Sequence, residues 1–549
     1  MLCITVAGCE GPPIDPLPSE PPPGFAWGDE VVCSSDATLE SWTDEGASRG
    51  LDFDQDPGMV NNNPVPCPTA GGVAVADLNR DGHDDLVFGR YPGFPRVFLN
   101  DGTAHFTELP QDHPEIGSFG RTGEFFGLVA IDTDPTLDML LFTSGFAAWF
   151  PGNGDGTFGA EQILVEIPPQ QWPRPLFQTA AVADVSGDGL VDVLLPVVQM
   201  RENTPPGTDP QDPTPGFDLL FIADGAGGFL PPMELSPFGE PAFAQVASFT
   251  DRDLDGDLDL FIPSEFGPVA EDSAFYRNDG TDADGYPILV NDAVEIGADL
   301  EVSGMGLDSW DHNEDGRPDY CVAQFGSSRC LISDLDTGTY VESSAAMGVE
   351  RPAGAGQSPE GGWSAYGMEI VDLDNDGWNE MLVAAGPPNR NEPGPGHPDA
   401  LFQGLPDGTF ADRGEELGWD DRRRHYGVAS SDLDGDGSLE VLFSGTEGRP
   451  VLFTGGCTEN AWVEIELVGP PNDPLAYGAQ VEIRAGGRRW MEERFNVRAL
   501  NQSSDRLHFG LGAVEKIEVV RVHWPDGVQT DGEEIPVRRR ITVTHPDAG

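Results

Sequence analysis

Residues 251–259 read Asp-Arg-Asp-Leu-Asp-Gly-Asp-Leu-Asp, and the same spacing returns at 432–440 as Asp-Leu-Asp-Gly-Asp-Gly-Ser-Leu-Glu. Between them lie DHNEDGRPD (311–319) and DLDNDGWNE (372–380). Before them come DLNRDGHDD (77–85), DTDPTLD (132–138) and DVSGDGLVD (184–192). The seven starts are 55, 52, 67, 60, 61 and 60 residues apart, a steady internal repeat. A short apolar run stands on either side of the loop, as in 72–76 and 86–89 or 427–431 and 441–444. Further on, each unit carries a second element such as FLNDGTAHF (98–106), FIADGAGGF (221–229) or FQGLPDGTF (402–410). Its Asn-Asp-Gly or Asp-Gly supplies the positive φ of a tight hairpin. Every unit therefore reads as strand, acidic loop, strand, hairpin, strand. One such meander cannot bury both faces, and seven packed around an axis can, which predicts an all-β, seven-bladed β-propeller over residues 38–456.

Two further expectations follow from the repeat. The segment LESWTDEGASRGLDF (39–53) is similar to FADRGEELGWD (410–420), which follows the last element of a unit. With no unit before it, it is predicted to close the ring by pairing into the last blade. The insert RENTPPGTDPQDPTPG (201–216) is expected to be a mobile surface loop.

The pattern D-x-[DNS]-x-D-G-x-x-[DE] sets side-chain oxygens at positions 1, 3, 5 and 9, with a glycine at 6 for the sharp turn. A hard cation taking six to eight oxygens wants this arrangement, which points to calcium. The loop is shorter than an EF-hand and has no flanking amphipathic helices, so the EF-hand reading fails. The predicted ligands are Asp77, Asn79, Asp81 and Asp85; Asp184, Ser186, Asp188 and Asp192; and Asp251, Asp253, Asp255 and Asp259. Asp311, Asn313, Asp315 and Asp319 follow, then Asp372, Asp374, Asp376 and Glu380, and Asp432, Asp434, Asp436 and Glu440. Asp132, Asp134 and Asp138 are too closely spaced and Pro135 interrupts them, so blade two is expected to hold no metal. About six calcium ions follow, with a mainly structural role. These repeats resemble the FG-GAP/VCBS family, whose propellers include those of integrin α-subunits, and the resemblance implies the same propeller class.

Composition narrows the field. Of 549 residues, 70 are Gly and 50 Pro, a content that excludes coiled coils, helical bundles and helical solenoids. With 38% hydrophobic residues the chain can still bury cores. There are 95 acidic against 29 basic residues, a net charge of −66, which argues against binding nucleic acid. No apolar run is long enough to cross a membrane as a helix.

After Gly456 the charge pattern changes: residues 457–549 carry 11 basic and 15 acidic residues, only −4 of the −66. WVEIELVG (462–469), AQVEIRAGG (479–487) and IEVVRVHWPDG (517–527) alternate as half-buried strands, predicting a small antiparallel β-domain. The strings GAQVEI, HFGLG (508–512) and VHWPDGVQT (522–530) resemble the ASPIC/UnbV domain. The whole arrangement is similar to bacterial relatives of the cartilage acidic protein family. Arg484, Arg488, Arg489, Arg494 and Arg498 can dock on the acidic propeller or form a solvated face.

At the other end, MLCITVAGC (1–9) closes on Val6-Ala7-Gly8-Cys9 and resembles a lipobox, although without a basic n-region. The resemblance implies cleavage before Cys9, lipid attachment there, and an exported envelope lipoprotein or secreted protein; the alternative is an ordinary cysteine. Residues 10–37 are Pro-rich and read as a linker. Cys321 and Cys330 flank a hairpin and are expected to pair. Of Cys33, Cys67 and Cys457, two can pair, with the partners open.

No catalytic constellation stands out. Gly46-Ala47-Ser48-Arg49-Gly50 matches a nucleophile elbow in letters only, because no helix pattern follows it. The single lysine, Lys516, lies outside the repeats. The reading is an exported, monomeric, calcium-binding module for a protein or glycan ligand, without catalysis of its own. The alternative is a calcium-dependent polysaccharide lyase using the propeller groove.

Overall fold

The apolar runs beside each acidic loop form antiparallel strands, as their spacing predicts. The computed structural model describes residues 20–32, 42–55, 71–90, 94–111, 125–166, 176–198, 217–235, 244–265, 272–351, 363–386, 397–494 and 500–548, apart from 133, 144, 420, 447 and 457, together with two short strands at 59–60 and 63–64. Seven antiparallel sheets follow one another at 73–109, 125–166, 181–235, 248–291, 304–342, 365–412 and 425–454; each has four antiparallel strands, the last counting Thr43–Asp44, and the first gains a fifth, parallel strand from residues 501–502. The chain is nearly all β, and the first strands of the sheets meet around a common centre: those of sheets five, six and seven pack in series, and that of seven packs on that of one. This is a β-propeller. The acidic loop joins the first and second strand of each sheet.

Close approach at the centre is set by glycine. Gly306, Gly367 and Gly427 occupy matching places on the first strands of sheets five, six and seven. A Cβ there would run into the carbonyl oxygens of Tyr366, Tyr426 and Leu500, respectively. Small residues let the inner strands crowd together, and larger ones such as Phe88, Phe261 and Phe402 fill the space between sheets further out.

The ring closes as expected. Thr43–Asp44 pairs antiparallel with Val451–Thr454 and supplies the fourth strand of sheet seven. Glu45 N donates to the Leu452 carbonyl (2.9 Å) and Phe106 N to the Arg49 carbonyl (2.8 Å), so the segment ties the last sheet to the first. Leu51 is fully buried among Val73, Phe88, Phe98, Leu442 and Leu452, side chains from both ends of the ring. Ser48 sits in the exposed turn of this segment and donates its hydroxyl to the Glu45 carbonyl.

Two expectations are corrected, and others fall outside the described residues. Part of the stretch read as a linker is structured: Phe25–Trp27 pairs with Arg539–Thr544 and belongs to the second domain. That domain is not purely antiparallel, because Ala461–Val468 runs parallel to Arg539–Thr544. Its two four-stranded sheets enclose a core of Val463, Ile465, Val481, Ile483, Val520 and Ile541. Cys321 and Cys330 are joined, on directly opposed positions of neighbouring strands in sheet five. Cys9, Cys33, Cys67, Cys457, Arg498 and the insert at 201–216 lie outside the described residues.

The second domain also enters the propeller. Asn501–Gln502 pairs parallel with Val73–Ala76 of sheet one. The Gln502 amide takes both backbone groups of Leu128, at 2.9 and 2.8 Å, and Asn501 donates to the Met368 carbonyl (3.2 Å). One short peptide therefore bridges sheets one, two and six at the hub.

Because Leu51 joins both ends of the ring, Leu51→Ala is expected to lower unfolding free energy by about 3 kcal/mol, as for a fully buried leucine truncation. Urea denaturation followed by tryptophan fluorescence measures this.

Candidate metal centres

The six full-length loops share one backbone. The first-position aspartate accepts two N–H groups, Oδ1 from position 5 and Oδ2 from position 6. For Asp77 these come from Asp81 (3.1 Å) and Gly82 (2.8 Å), and for Asp372 from Asp376 (3.1 Å) and Gly377 (2.6 Å). Asp184, Asp251, Asp311 and Asp432 repeat the pair. The fifth-position carboxylate then accepts from position 7, as Asp81 does from His83 (3.0 Å) and Asp436 from Ser438 (2.8 Å). Position 4 is left-handed in every one: Arg80, Gly187, Leu254, Glu314, Asn375 and Gly435 have φ between 57° and 75°. Holding Leu254 there is a strained choice for a branched side chain.

The ninth position has a different job. Asp85 accepts from Leu78 N (3.1 Å) through Oδ2 and from Asn100 N (2.8 Å) through Oδ1, tying the loop to the third strand of its sheet. Asp192 and Asp319 do the same. In sheet four the Asp259 carboxylate takes Asn278 N (2.8 Å) and pairs with the buried Arg252 guanidinium (3.1 Å). With glutamate the longer side chain changes the outcome. Glu380 Oε2 accepts from Leu373 N (2.9 Å), which leaves Oε1 buried without a hydrogen-bond partner.

The predicted residues are therefore not all brought together. Carboxylate oxygens converge within 4.8 Å in three loops: Asp251, Asp253 and Asp255; Asp372, Asp374 and Glu380; Asp432, Asp434 and Glu440. These are the loops with a third-position aspartate. Where position 3 is Asn79, Ser186 or Asn313, the carboxylates at 1, 5 and 9 form no such group among the described residues. Asp85, Asp192 and Asp319 serve as struts between strands. Asp376 and Asp436 stay outside the convergent groups, spent on Trp378 N and Ser438 N. Blade two keeps only the strut: Asp138 accepts from Ile131 N (3.0 Å) and Gly152 N (2.9 Å).

Electrostatics favours filling these sites with positive charge. Burial, reinforced by neighbouring carboxylates, pushes Asp251 up to about 7 and Asp311 up to about 8. Burial raises Asp374 to about 6, and holds Asp372, Glu380, Asp432 and Glu440 well above the carboxylate range, with Asp374 the leading charged neighbour of the first two, Glu464 of Asp432 and Asp434 of Glu440. The orphaned Glu380 Oε1 and Asp434 Oδ1, facing other carboxylates, suit a hard cation. Asp372, Asp374 and Glu380 would hold it, with Asp432, Asp434 and Glu440 as a second set.

Sequence reasoning missed how the second domain meets these loops. Arg488 Nε pairs with Glu314 (2.9 Å), Arg489 Nη1 donates to the Asp315 carbonyl (2.9 Å) and Trp490 Nε1 to the Gly377 carbonyl (3.2 Å). Arg506 and Arg540 both donate to the Gly82 carbonyl, and Gln480 to that of Asp251. Of the basic cluster, Arg488 and Arg489 dock on the propeller. Arg494 pairs with Asp505 and Arg484 with Glu482, both within the second domain. The imbalance between −62 and −4 was the available signal, without the positions.

Comparison with known proteins agrees with this division. Residues 372–443 match the FG-GAP-like repeat and residues 469–549 match ASPIC and UnbV. Over 134 residues the chain is 31% identical to cartilage acidic protein 1 of Xenopus tropicalis, covering 23% of this chain. The chain thus spans about one fifth (20%) of that relative's length. Among solved structures, an Agrocybe aegerita lectin described as recognising non-reducing terminal N-acetylglucosamine is similar at TM-score 0.40 and 15% identity, over 64% of this chain and 80% of that one. The Dos1 propeller gives 0.39 and 9%, over 71% and 95%. An exotype rhamnogalacturonan lyase gives 0.34 and 12%, over 85% and 90%.

The raised carboxylates fix the sign of a pH effect. Each stabilises the cation-free fold fully below its unfolded value near 4, and loses that contribution as pH climbs through its folded value of about 6 to 8. Protein stripped with EDTA is therefore expected to melt at least about 5 °C lower at pH 8.5 than at pH 5.5. Calcium should flatten that slope. Differential scanning fluorimetry across the pH range checks both.

Proposed function

We propose that this chain, which carries an FG-GAP-like repeat and an ASPIC and UnbV domain, is an exported calcium-binding propeller that acts by binding a protein or glycan and catalyses no reaction itself. A rigid ring with loops shaped by their own backbone suits recognition rather than bond breaking. The observation that carries the reading is a cleft of about 440 Å³ where loop four meets the second domain. Asp251, Asp255 and Gly256 line one wall, and Gln480, Arg484 and His523 the other. Its size and mixed polar lining fit a small ligand segment presenting hydroxyl and carboxylate groups. Asp255 is exposed at its mouth, so a cation in loop four would face the ligand.

The supporting experiment is retention on a printed panel of acidic and neutral glycans, in calcium and in EDTA, with absorbance near 235 nm followed on polygalacturonate. Calcium-dependent retention that Arg484→Ala weakens about tenfold, with no rise in absorbance, supports a binding module. A steady absorbance rise shows instead the lyase named above as the alternative. Separately, calcorimetric titration of stripped protein with calcium is expected to show saturable binding, and Glu380→Gln to remove about one equivalent.

A further inference from the structure

The six loops fall into two sets according to how the second domain meets them. In loops one, three and four the first-position carboxylates Asp77, Asp184 and Asp251 are half-buried, and Asp81, Asp188 and Asp255 are exposed. A Cβ added at the sixth position would find open space at Gly82 and Gly256, and at Gly189 only the Asn472 amide 3.8 Å away. In loops five, six and seven Asp311, Asp372 and Asp432 are buried, and Asp315, Asp376 and Asp436 are half-buried. There the sixth-position glycines Gly316, Gly377 and Gly437 lie directly against Arg489, Arg488 and Trp462, with no room for a Cβ.

Loop six is clasped most closely. The Thr458 hydroxyl and the Asn460 amide both donate to the Asp374 carbonyl at 3.0 Å, and Gly512 N donates to the Asn375 carbonyl at 2.8 Å. His508 Nε2 meets Asn375 Oδ1 at 2.7 Å, and Gly510 leaves no space beside the Asp372 carboxylate. Beneath this cover stands the unpartnered Glu380 Oε1.

We infer that the second domain is a metal-dependent lid: cations held by the convergent groups of loops six and seven are sealed under it and hold it down, whereas one held by the group of loop four exchanges freely with solvent. The inference rests on the reading that the loops take cations. Its logic is mutual. The lid is fastened largely to backbone carbonyls of the loops, whose positions depend on the loops keeping their shape. Without a cation, the carboxylates gathered under the lid repel one another and push those carbonyls apart. With a cation, departure requires the lid to lift first, and a local opening of that kind is slow relative to diffusion.

The test uses the full chain loaded with calcium and mixed rapidly with an excess of a fluorescent calcium chelator. Two release phases are expected, a fast one of about one equivalent and a slow one of about two. Trp462→Ala and, separately, Arg488→Ala should accelerate the slow phase about tenfold or more while circular dichroism stays unchanged. Asp255→Asn should remove about one equivalent from the fast phase alone. Stripping calcium should also raise hydrogen exchange at residues 500–502, where the lid enters the hub. A single rate for all the bound calcium overturns the inference. So does a slow phase that neither variant moves, or unchanged exchange at 500–502 in protein shown to have lost its calcium. If calcium does not bind at all, the underlying reading falls together with the lid.

Discussion

The structure depends on one arrangement above all: a buried carboxylate whose oxygens are taken by backbone N–H groups from two places in the chain. Asp85 joins Leu78 to Asn100, Asp192 joins Val185 to Ala223, and Asp319 joins His312 to Ser333. Each strut fastens the acidic loop to the third strand of its own sheet. Burying a carboxylate is costly unless its lone pairs are satisfied, and here backbone donors satisfy them. Asn100 and Asn278 extend the link outward, donating to Leu433 and Val185 of the preceding sheets. Ring geometry is thus carried by polar bonds at the rim of each sheet as well as by the cores between sheets.

The propeller was legible because its signal is repeated. The period recurs through seven units and the loop spacing through six of them, so a departure in one unit is outvoted by the others. The closing role of residues 39–53 followed from the same logic, and Thr43–Asp44 stands where it was expected. The ligand sets were less legible, because a spacing of 1, 3, 5 and 9 says which oxygens are near but not what else claims them. Asp and Glu at position 9 look equivalent in sequence, yet one extra methylene decides whether an oxygen is left over: Asp85 has both taken by backbone, and Glu380 keeps one. Of the contacts between the domains only the charge was legible, which marked Arg488 and Arg489 as able to dock without saying where. The contacts themselves join residues such as Gly377 and Trp490, or Gly82 and Arg540, that no local pattern connects.

Loop four shows a second route to the same electrostatic balance. The second residue of each other full-length loop gives its backbone N–H to the ninth-position carboxylate. In loop four that residue is Arg252, nearly inaccessible to solvent, and its guanidinium lies between Asp259 and Asp292. It also stacks over the Phe275 ring at 4.9 Å. A guanidinium inside the sheet supplies permanently a positive charge beside the ninth-position carboxylate. Asp251, Asp253 and Asp255 then form their group on the solvent side, next to the cleft, rather than inward toward the strut.

Blade two separates architecture from metal chemistry. It is two residues shorter between its first and last aspartate, and Asp138 nonetheless makes both strut bonds and stays buried. Where the other loops place a fifth carboxylate-bearing position, this one places Thr136, whose backbone N–H donates to Asp134 at 2.8 Å. The loop is completed by hydrogen bonds within itself, and its sheet still pairs in register from Asp138 to Phe142. A blade of this fold therefore needs the strut and not the cluster. It follows that the carboxylates at positions 1, 3 and 5 of the remaining loops are surplus to the architecture. In loops six and seven that surplus is gathered under the second domain at a cost in desolvation that raises Asp372, Glu380, Asp432 and Glu440. A fold that could have been completed as blade two is, but instead gathers carboxylates beneath a docked domain, has linked the charge state of those groups to the contact between the two halves of the chain.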